Sequence, residues 1–355
     1  MFRFREGLEI LKGYRAEEGA WRIKLDANER AGRFPAAVEE ALRARLAALA
    51  LNRYPEMSQQ RLKGKIAAGL GLKPENVVIG NGSSELLAAL CHTFGGAGRK
   101  IVVPSPSFSM YPVYCQLADS QPVRVALEDD FTLAPDKVAA AAQDGPASLV
   151  LVCNPNNPTG GLTPAAAIEQ ILRDVDCPVA VDEAYGEFSG QSALDLMAKY
   201  PRLIVVRTFS KAYGLAGARV GYAVMAEEIA RAVEKVLLPY HVNALSLAAA
   251  ETVFDLAGEF GPGLAETVAE RERLAAGLGG IRGVTVFPSA TNFLLFRTAP
   301  AAELVQELAA KGIGIRDFSR TPGLAGCLRV TIGTSAENAA FLAAVRDFFQ
   351  GRCPS

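Results

Sequence analysis

Residues 203–219 read LIVVRTFSKAYGLAGAR, an apolar run followed by hydroxyl side chains, one lysine and a glycine-rich turn that ends in arginine. The run Leu203–Arg207 is short and almost continuously apolar, which is typical of a strand buried on both faces. Because ligand sites in open α/β sheets form beyond the carboxyl ends of strands, we expect chemistry in the polar residues that follow it. Lys211 is therefore the first candidate functional side chain.

Similar apolar runs recur along the first 225 residues and predict further strands. Gly, Pro or Asn bounds them, and helical patterns such as Glu85–Phe94 and Pro164–Arg173 lie between them. This alternation predicts an α/β fold in which helices wrap a large, mainly parallel sheet. The predicted strands are Asn76–Gly80, Lys100–Pro104, Ser148–Cys153, Pro178–Val181, Leu203–Arg207 and Arg219–Met225.

The pattern changes after about residue 240. Long helical patterns there precede the apolar runs Val284–Phe287, Asn292–Arg297 and Cys327–Ile332, which predict a smaller α+β domain. We divide the chain into an N-terminal arm (1–29) that contributes to the small domain, a large ligand-binding domain (30–240) and a small C-terminal domain (241–355).

Composition excludes several classes of function. Lys plus Arg number 37 and Asp plus Glu 38, so the formal net charge of −1 offers no field suited to nucleic acid or anionic membrane. No run approaches the length of a signal peptide or a membrane span, and we expect a cytoplasmic protein. The six cysteines are scattered and only two histidines exist, so we expect neither a disulfide framework nor a metal site.

Polar side chains follow two more of the predicted strands. Asn157 stands in the rigid turn 154–160, which can direct its side-chain amide. Asp182 ends a deeply buried run, and a buried carboxylate needs a partner such as a protonated pyridine nitrogen. Tyr185 is placed to donate to an oxygen of the same ring. Taken alone, Asn157 also fits an ordinary turn, and Tyr185 also fits a core tyrosine.

Two segments are suited to an anion. The strand Asn76–Gly80 leads through a Gly-Ser-Ser turn into a helix, where free N–H groups and the helix dipole favour a phosphate, although a simple serine cap explains this turn equally well. Hydroxyls and a forked guanidinium flank Lys211. The candidate phosphate ligands are Gly82, Ser83, Ser84, Thr208, Ser210 and Arg219.

Lys211 itself is suited to two tasks. A lysine just beyond a buried strand can form an imine with an aldehyde and, once released, can act as a general base. The alternative is a surface lysine beside a glycine-rich turn. An aromatic ring near the end of the strand Lys100–Pro104 could lie on a planar ligand, with Phe108 the first candidate and Tyr111 the second.

Together these motifs resemble the fold-type I aminotransferases, and most closely the histidinol-phosphate aminotransferases. Asp182–Phe188 and Arg207–Lys211 are closest to that branch. The resemblance implies a pyridoxal 5′-phosphate enzyme that interconverts histidinol phosphate and 2-oxoglutarate with imidazole acetol phosphate and glutamate, in histidine biosynthesis. The motifs that carry it extend nearly from end to end, at residues 24–29, 52–55, 80–85, 154–160, 182–188, 207–221, 292–293 and 327–334.

The resemblance also implies roles for single residues. Lys211 matches the catalytic lysine that holds the cofactor, Asp182 the partner of its pyridine nitrogen, and Asn157 and Tyr185 the partners of its ring oxygen. The cofactor phosphate falls to Ser210, Arg219 and the turn 82–84.

Further implied roles concern the substrate and a second subunit. Tyr54 matches a tyrosine that reaches the cofactor phosphate of the neighbouring subunit, which implies a homodimer with shared active sites. Arg329 matches the arginine that takes the substrate carboxylate or phosphate, and Arg316 and Tyr14 match positions that assist it. Asn28 is assigned to the substrate because it lies near the entry to the site. The family usually has Asn-Glu-Asn-Pro there, whereas the run 26–30 of this chain lacks the proline and adds a cation at Arg30.

Three other enzyme functions and one without catalysis remain as alternatives. Within the fold they are a threonine-phosphate decarboxylase and an aromatic amino-acid aminotransferase. A binding module that keeps the fold without catalysis is disfavoured by the presence of Lys211, Asp182, Tyr185 and Arg219. A dinucleotide-dependent oxidoreductase is disfavoured because the G-x-G-x-x-G fingerprint is absent.

Overall fold

The computed structural model describes residues 2, 4, 8, 19–145 and 147–351. In this part of the chain the strands are β1 (Ile23–Lys24), β2 (Val77–Gly80), β3 (Lys100–Ser105), β4 (Gln121–Ala126), β5 (Ala147–Cys153), β6 (Val179–Asp182), β7 (Leu203–Thr208), β8 (Gly221–Val224), β9 (Val284–Val286), β10 (Phe293–Thr298), β11 (Ile313–Gly314), β12 (Arg316–Asp317) and β13 (Cys327–Thr331).

The α-helices alternate with these strands in the first two thirds of the chain. They are α1 (Ala36–Ala47), α2 (Gln60–Leu70), α3 (Ser83–Phe94), α4 (Tyr111–Leu117), α5 (Pro135–Gln143), α6 (Ala165–Asp174), α7 (Gly186–Ser189), α8 (Glu227–Glu234), α9 (Ala244–Asp255), α10 (Gly261–Gly279), α11 (Ala301–Ala310) and α12 (Ser335–Gln350).

The large sheet has seven strands in the order β2-β8-β7-β6-β5-β3-β4. Strands β3 to β7 run parallel, and β8 runs antiparallel to both of its neighbours. The reversal follows from the connection between β7 and β8, which holds no α-helix that could carry the chain back across the sheet. The predicted α/β fold with a mainly parallel sheet is confirmed.

Burial explains why the central strands could be recognised in the sequence. Every residue of β2, β6 and β8 is buried, as continuous apolar runs predict for strands covered on both faces. One face packs against α3, α4 and α8, and the opposite face packs against α5 and α6. Strand β4 was missed by the sequence interpretation because it is a half-exposed edge strand that carries Gln121, Pro122 and Arg124.

The C-terminal part builds a second, antiparallel sheet of order β12-β13-β10-β9, packed against α10, α11 and α12. The N-terminal segment joins it, because β1 pairs in parallel with β11. The domain boundaries stay a prediction. One observation bears on the boundary at residue 240: helix α9 shares a hydrophobic cluster with α1 and α2. No helix in the described ranges is both long and apolar enough to cross a membrane.

Candidate active site

A cavity of about 530 Å³ lies at the carboxyl ends of β5, β6 and β7. The parallel register brings these ends together, since Cys153 pairs with Asp182 and Asp182 with Val206. The N-terminus of α3 and the strand pair β12–β13 complete the walls. Thirteen of the predicted site residues line the cavity: Asn28, Ser83, Ser84, Phe108, Asn157, Asp182, Tyr185, Thr208, Ser210, Lys211, Arg219, Arg316 and Arg329.

Two predicted residues among those described do not line the cavity, and a third lies outside the described residues. Gly82 lies just behind the wall, in the left-handed region at φ +80°, where an added Cβ would be 2.6 Å from Nη2 of Arg219. Tyr54 lies on the surface with 81% of its area exposed, and its ring stacks on that of Tyr240 at 4.5 Å. Tyr14 lies outside the described residues.

Lys211 lies immediately after β7 and projects into the cavity. Its Nζ donates to the backbone carbonyl of Ala27 at 3.0 Å. Burial, together with the positive charge of Arg329, lowers the pKa of Lys211 to about 7. A substantial fraction of this side chain is therefore a neutral amine near pH 7, which makes Lys211 both a nucleophile and a proton acceptor.

Asp182 ends β6 as a buried carboxylate. Its Oδ2 accepts from the hydroxyl of Tyr111 at 2.8 Å, and its Oδ1 accepts from the backbone N–H of Ala184 at 3.1 Å. Burial raises the pKa of Asp182 to about 6, while these two hydrogen bonds oppose the rise. None of the ion pairs found among the described residues involves Asp182, so its charge lacks the cation that a buried carboxylate requires. A protonated ring nitrogen in the cavity would supply it.

Tyr185 and Asn28 form a hydrogen-bonded pair that also lines the cavity. Asn28 is 1% exposed, and its Nδ2 donates to the hydroxyl oxygen of Tyr185 at 2.9 Å. Asn28 adopts a left-handed conformation, and its backbone N–H donates to Thr331 while its carbonyl accepts from Asn292. Burial raises the pKa of Tyr185 to about 12, so its phenol remains protonated near neutral pH.

The opposite end of the cavity is suited to an anion. Helix α3 begins at Ser83 and directs its unpaired N–H groups toward the cavity. Arg219, held in a left-handed conformation, donates from Nη1 to Ser210 Oγ at 3.3 Å. Gly221 allows the close approach, because an added Cβ there would be 2.4 Å from the Ser83 nitrogen. Backbone N–H groups, hydroxyls and a guanidinium together fit a phosphate.

Two arginines lie on adjacent strands at one side of the cavity. Arg316 of β12 and Arg329 of β13 are direct cross-strand partners. Arg329 is further fixed by Asn157 Oδ1 at 2.5 Å and by the carbonyl of Asp26 at 2.8 Å. Like charges directly opposite each other destabilise a strand pair unless an anion lies between or beside them. This arrangement fits an anionic substrate group.

The sequence interpretation missed several residues that line the cavity. Trp21, Lys24, Asp26 and Glu29 come from the N-terminal segment that β1 attaches to the small sheet. Lys24 Nζ lies 2.8 Å from Asp26 and 2.7 Å from Glu29. Lys24, Asp26 and Glu29 belong to the motif at residues 24–29, but no local pattern indicates that they face the ligand.

The choice between Phe108 and Tyr111 is clear in the structure. Phe108 lines the cavity, whereas Tyr111 is fully buried beneath it and meets Phe108 edge-on at 5.4 Å. A stacking role therefore fits Phe108 alone, and Tyr111 contacts Asp182 instead.

Known proteins match this chain over most of its length. Residues 22–345 match the family model of class I and II aminotransferases. The chain is 37% identical over 334 residues to the histidinol-phosphate aminotransferase of Thermoanaerobacter pseudethanolicus, which covers 94% of this chain and 95% of the relative. It is 39% identical over 346 residues to that of Thermococcus gammatolerans, with 98% and 97% covered.

A solved structure extends the likeness to three dimensions. The histidinol-phosphate aminotransferase of Sinorhizobium meliloti, in complex with pyridoxal-5′-phosphate, superposes with a TM-score of 0.87 at 27% identity, covering 94% of this chain and 92% of that one. The family model alone spans most of the chain, and the relatives align over nearly all of it. The chain therefore belongs to the class I and II aminotransferase family.

Proposed function

We propose that this chain is a pyridoxal-phosphate-dependent aminotransferase that transfers the amino group of histidinol phosphate to 2-oxoglutarate, giving imidazole acetol phosphate and glutamate for histidine biosynthesis. One observation carries the proposal: a single cavity joins Lys211, the buried carboxylate of Asp182 and the opposed arginines Arg316 and Arg329. The two relatives named above, which align over nearly the whole chain, support this choice of substrate.

Pyridoxal phosphate, when bound, supplies an aldehyde that carries the amino group and a ring that accepts electrons from the substrate carbon. The cavity offers partners for each part of it. Asp182 would hold the ring nitrogen, Asn157 and Tyr185 the ring oxygen, and Phe108 would lie on the ring face. The phosphate would be held by the α3 N-terminus and nearby side chains: Gly82, Ser83, Ser84, Thr208, Ser210 and Arg219.

Lys211 is the group that moves the proton. With a pKa near 7, its Nζ can take a proton from the amino-bearing carbon of the donor and return it in the next step. The carbonyl of Ala27 lies 3.0 Å from Nζ and orients the amine toward the cavity. Tyr185 stays protonated and donates a hydrogen bond without competing for the same proton.

Arg329 and Arg316 would bind the anionic ends of both substrates. A guanidinium offers two parallel donors to a carboxylate or a phosphate. The same pair can therefore take the phosphate of histidinol phosphate in one half-reaction and a carboxylate of 2-oxoglutarate in the other. Asn28 would support the substrate through Tyr185, and Tyr14 stays a prediction outside the described residues.

We also propose that the protein is a homodimer. The rings of Tyr54 and Tyr240 stack on each other, and Met57 and Leu238 line a groove together with Tyr240. We call these four apolar side chains, each at least 40% exposed, the Tyr54–Tyr240 patch. A concentration of exposed apolar side chains of this size is typical of a protein interface. In a dimer, Tyr54 would be able to reach the partner's cofactor phosphate. A cytoplasmic location stays a prediction.

The test of the enzymatic proposal is a substrate comparison with three amino donors. Purified protein loaded with cofactor should form glutamate from 2-oxoglutarate with histidinol phosphate, and more slowly with phenylalanine. Release of carbon dioxide from threonine phosphate, without glutamate formation from histidinol phosphate, would instead establish a decarboxylase.

Variants make the same assay specific to the site. Lys211→Ala should abolish turnover, and Arg329→Ala should raise the KM for 2-oxoglutarate about tenfold to a hundredfold, because a hydrogen-bonded ion pair is lost. The matched control is Arg320→Ala, which removes an exposed arginine outside the cavity and should leave the KM unchanged. Full turnover by Lys211→Ala would refute the proposal.

A further inference from the structure

The hydroxyl of Tyr111 forms a fully buried hydrogen bond to Asp182 beneath the cavity. Tyr111 is 0% exposed and Asp182 is 4% exposed, and their oxygens lie 2.8 Å apart. The two residues are far apart in the sequence and come from different elements, α4 and β6. A buried tyrosine hydroxyl needs a partner, and in this structure it meets Asp182, the carboxylate at the end of β6 that lines the cavity.

The ring of Tyr111 is closely packed. It is the first residue of α4, and its backbone N–H donates to the carbonyl of Phe108 at 3.1 Å. The Phe108 ring meets it at an interplanar angle of 86°. Tyr111 also belongs to the hydrophobic cluster on this face of the large sheet. A close-packed ring with few alternative rotamers holds its hydroxyl, and therefore Asp182, in one position.

The partner of the Asp182 carboxylate is a neutral phenol and not a cation, and this difference matters for the charge of Asp182. An arginine or lysine in the same position would neutralise the carboxylate, whereas a phenol donates a hydrogen bond and leaves the negative charge in place. Burial raises the pKa of Tyr111 well above its ordinary value, so the phenol stays protonated and remains a donor. Its hydrogen bond stabilises the charged form of Asp182, against the burial that favours the neutral form.

We propose that Tyr111 is a positioning residue, which orients the Asp182 carboxylate and keeps it ionised for the ring nitrogen of the cofactor. The inference rests on the proposed function, since it gives Asp182 a cationic partner in the cavity. Tyr111 itself touches neither substrate nor cofactor. Its effect reaches the reaction through Asp182, whose charge maintains the ring as an electron acceptor.

Several titratable groups face Asp182 from the elements packed around it. Cys153 comes from β5, Glu183 follows Asp182 in the chain, Tyr111 and Tyr114 come from α4, and Tyr185 comes from the turn after β6. Of these, burial raises the pKa of the cysteine and of the three tyrosines, so all four are neutral near pH 7. The remaining charged neighbour, Glu183, is paired with Arg207.

The experiment compares Tyr111→Phe with Tyr222→Phe. The control also removes one buried tyrosine hydroxyl from the large domain, but that hydroxyl bonds to Arg207. In Tyr111→Phe we expect kcat to fall about tenfold with little change in KM, because a hydrogen bond to a charged group is lost. The acid limb of the pH profile of kcat should move to higher pH by about one unit. The midpoint of the pH titration of the bound cofactor's absorbance should move by the same amount. Tyr222→Phe should behave as the parent.

A double-mutant cycle with Asp182→Asn separates positioning from packing. If Tyr111 acts through the Asp182 charge, Tyr111→Phe should add little in the Asp182→Asn background. Equal effects in both backgrounds, a parental pH profile, or loss of the native circular-dichroism spectrum in Tyr111→Phe would each overturn the inference. The cofactor titration needs no substrate, so it tests Tyr111 even if histidinol phosphate proves not to be the donor.

Discussion

At the scale of the residue, the reactive groups of the cavity depend on their surroundings. Lys211 is an ordinary lysine whose pKa falls to about 7 through burial and through the charge of Arg329. Asp182 is an ordinary aspartate whose pKa rises to about 6 through burial. The two shifts run in opposite directions for one reason, because burial disfavours whichever form is charged. A base and an acid with pKa values close to neutrality therefore share one cavity.

The lowered pKa of Lys211 predicts how the rate of cofactor uptake by the apoenzyme depends on pH. A lysine with a lowered pKa is protonated below that value and neutral above it, and only the neutral amine attacks an aldehyde. The rate of covalent cofactor incorporation should therefore rise through about pH 7 and level off above it. Stopped-flow absorbance of apoenzyme mixed with pyridoxal phosphate measures this rate. A midpoint near the ordinary lysine value, about pH 10, would contradict the prediction.

At the scale of the element, the turn between β2 and α3 depends on glycine. Gly82 has φ +80°, and a side chain there would collide with the guanidinium of Arg219. Gly82→Ala should therefore weaken cofactor binding about tenfold or more, because the phosphate site loses both its backbone geometry and its arginine. Equilibrium dialysis of the apoenzyme with pyridoxal phosphate measures this affinity.

Gly190→Ala is the matched control for that variant. Gly190 follows α7 with φ +67° and has open space around its Cα. Its substitution should cost about 1 kcal/mol of unfolding free energy from backbone strain alone, with unchanged cofactor affinity. An equal loss of affinity in both variants would refute the local explanation.

A second feature at the scale of the element is a pair of acidic side chains, Glu183 and Glu187, near the turn that follows β6. Arg207 of β7 donates to Glu183 at 3.0 and 2.9 Å. Glu187 lies nearby on α7, and burial raises its pKa to about 7, while the charge of Arg207 opposes the rise. Since the folded state binds this proton more tightly than the unfolded chain, the contribution of Glu187 to stability is greatest at low pH and declines as pH rises toward 7.

The corresponding prediction concerns Glu187→Gln, which mimics the protonated side chain. Its free energy of unfolding should exceed that of the parent at about pH 8 and approach it at about pH 4. Urea unfolding followed by circular dichroism at both pH values provides the measurement. Glu40→Gln, on the exposed side of α1, is the control and should differ from the parent at neither pH. A uniform destabilisation by Glu187→Gln would contradict the sign of the shift.

At the scale of the whole molecule, the Tyr54–Tyr240 patch links assembly to activity. Leu238 is 73% exposed within it, next to the stacked pair of Tyr54 and Tyr240. Leu238→Glu introduces a charge that would be desolvated in a dimer interface, so it should dissociate the dimer and lower activity in parallel. Sedimentation velocity and glutamate formation, measured across protein concentrations, report both effects.

Ala299→Glu is the control for that assembly experiment. It adds the same carboxylate at an exposed position of the small domain, outside the patch. The variant should sediment and react as the parent does. A monomeric parent, or a Leu238→Glu variant that stays dimeric with full activity, would contradict the assignment of the patch.

Local sequence patterns were sufficient to predict the central strands of the large sheet and the polar side chains at several of their ends. The strands around Lys211, Asp182 and Asn157 were predicted to within two residues, because strands buried on both faces must be apolar throughout. The two-residue strands β1, β11 and β12 carry no such pattern, and the edge strand β4 is too polar to reveal itself. Their pairing depends on partners remote in the chain.

The sequence by itself determined the α/β fold class and the set of polar side chains at the strand ends, because these follow from side-chain chemistry and short-range periodicity, while its ordered motifs pointed to the family by resemblance. Only the tertiary structure decided that Arg329 meets Asn157, that Asn28 supports Tyr185 and that Tyr111 bonds to Asp182. The physical reason is that such contacts, and the pKa shifts that accompany them, arise from burial between elements distant in the chain. No local pattern records that burial.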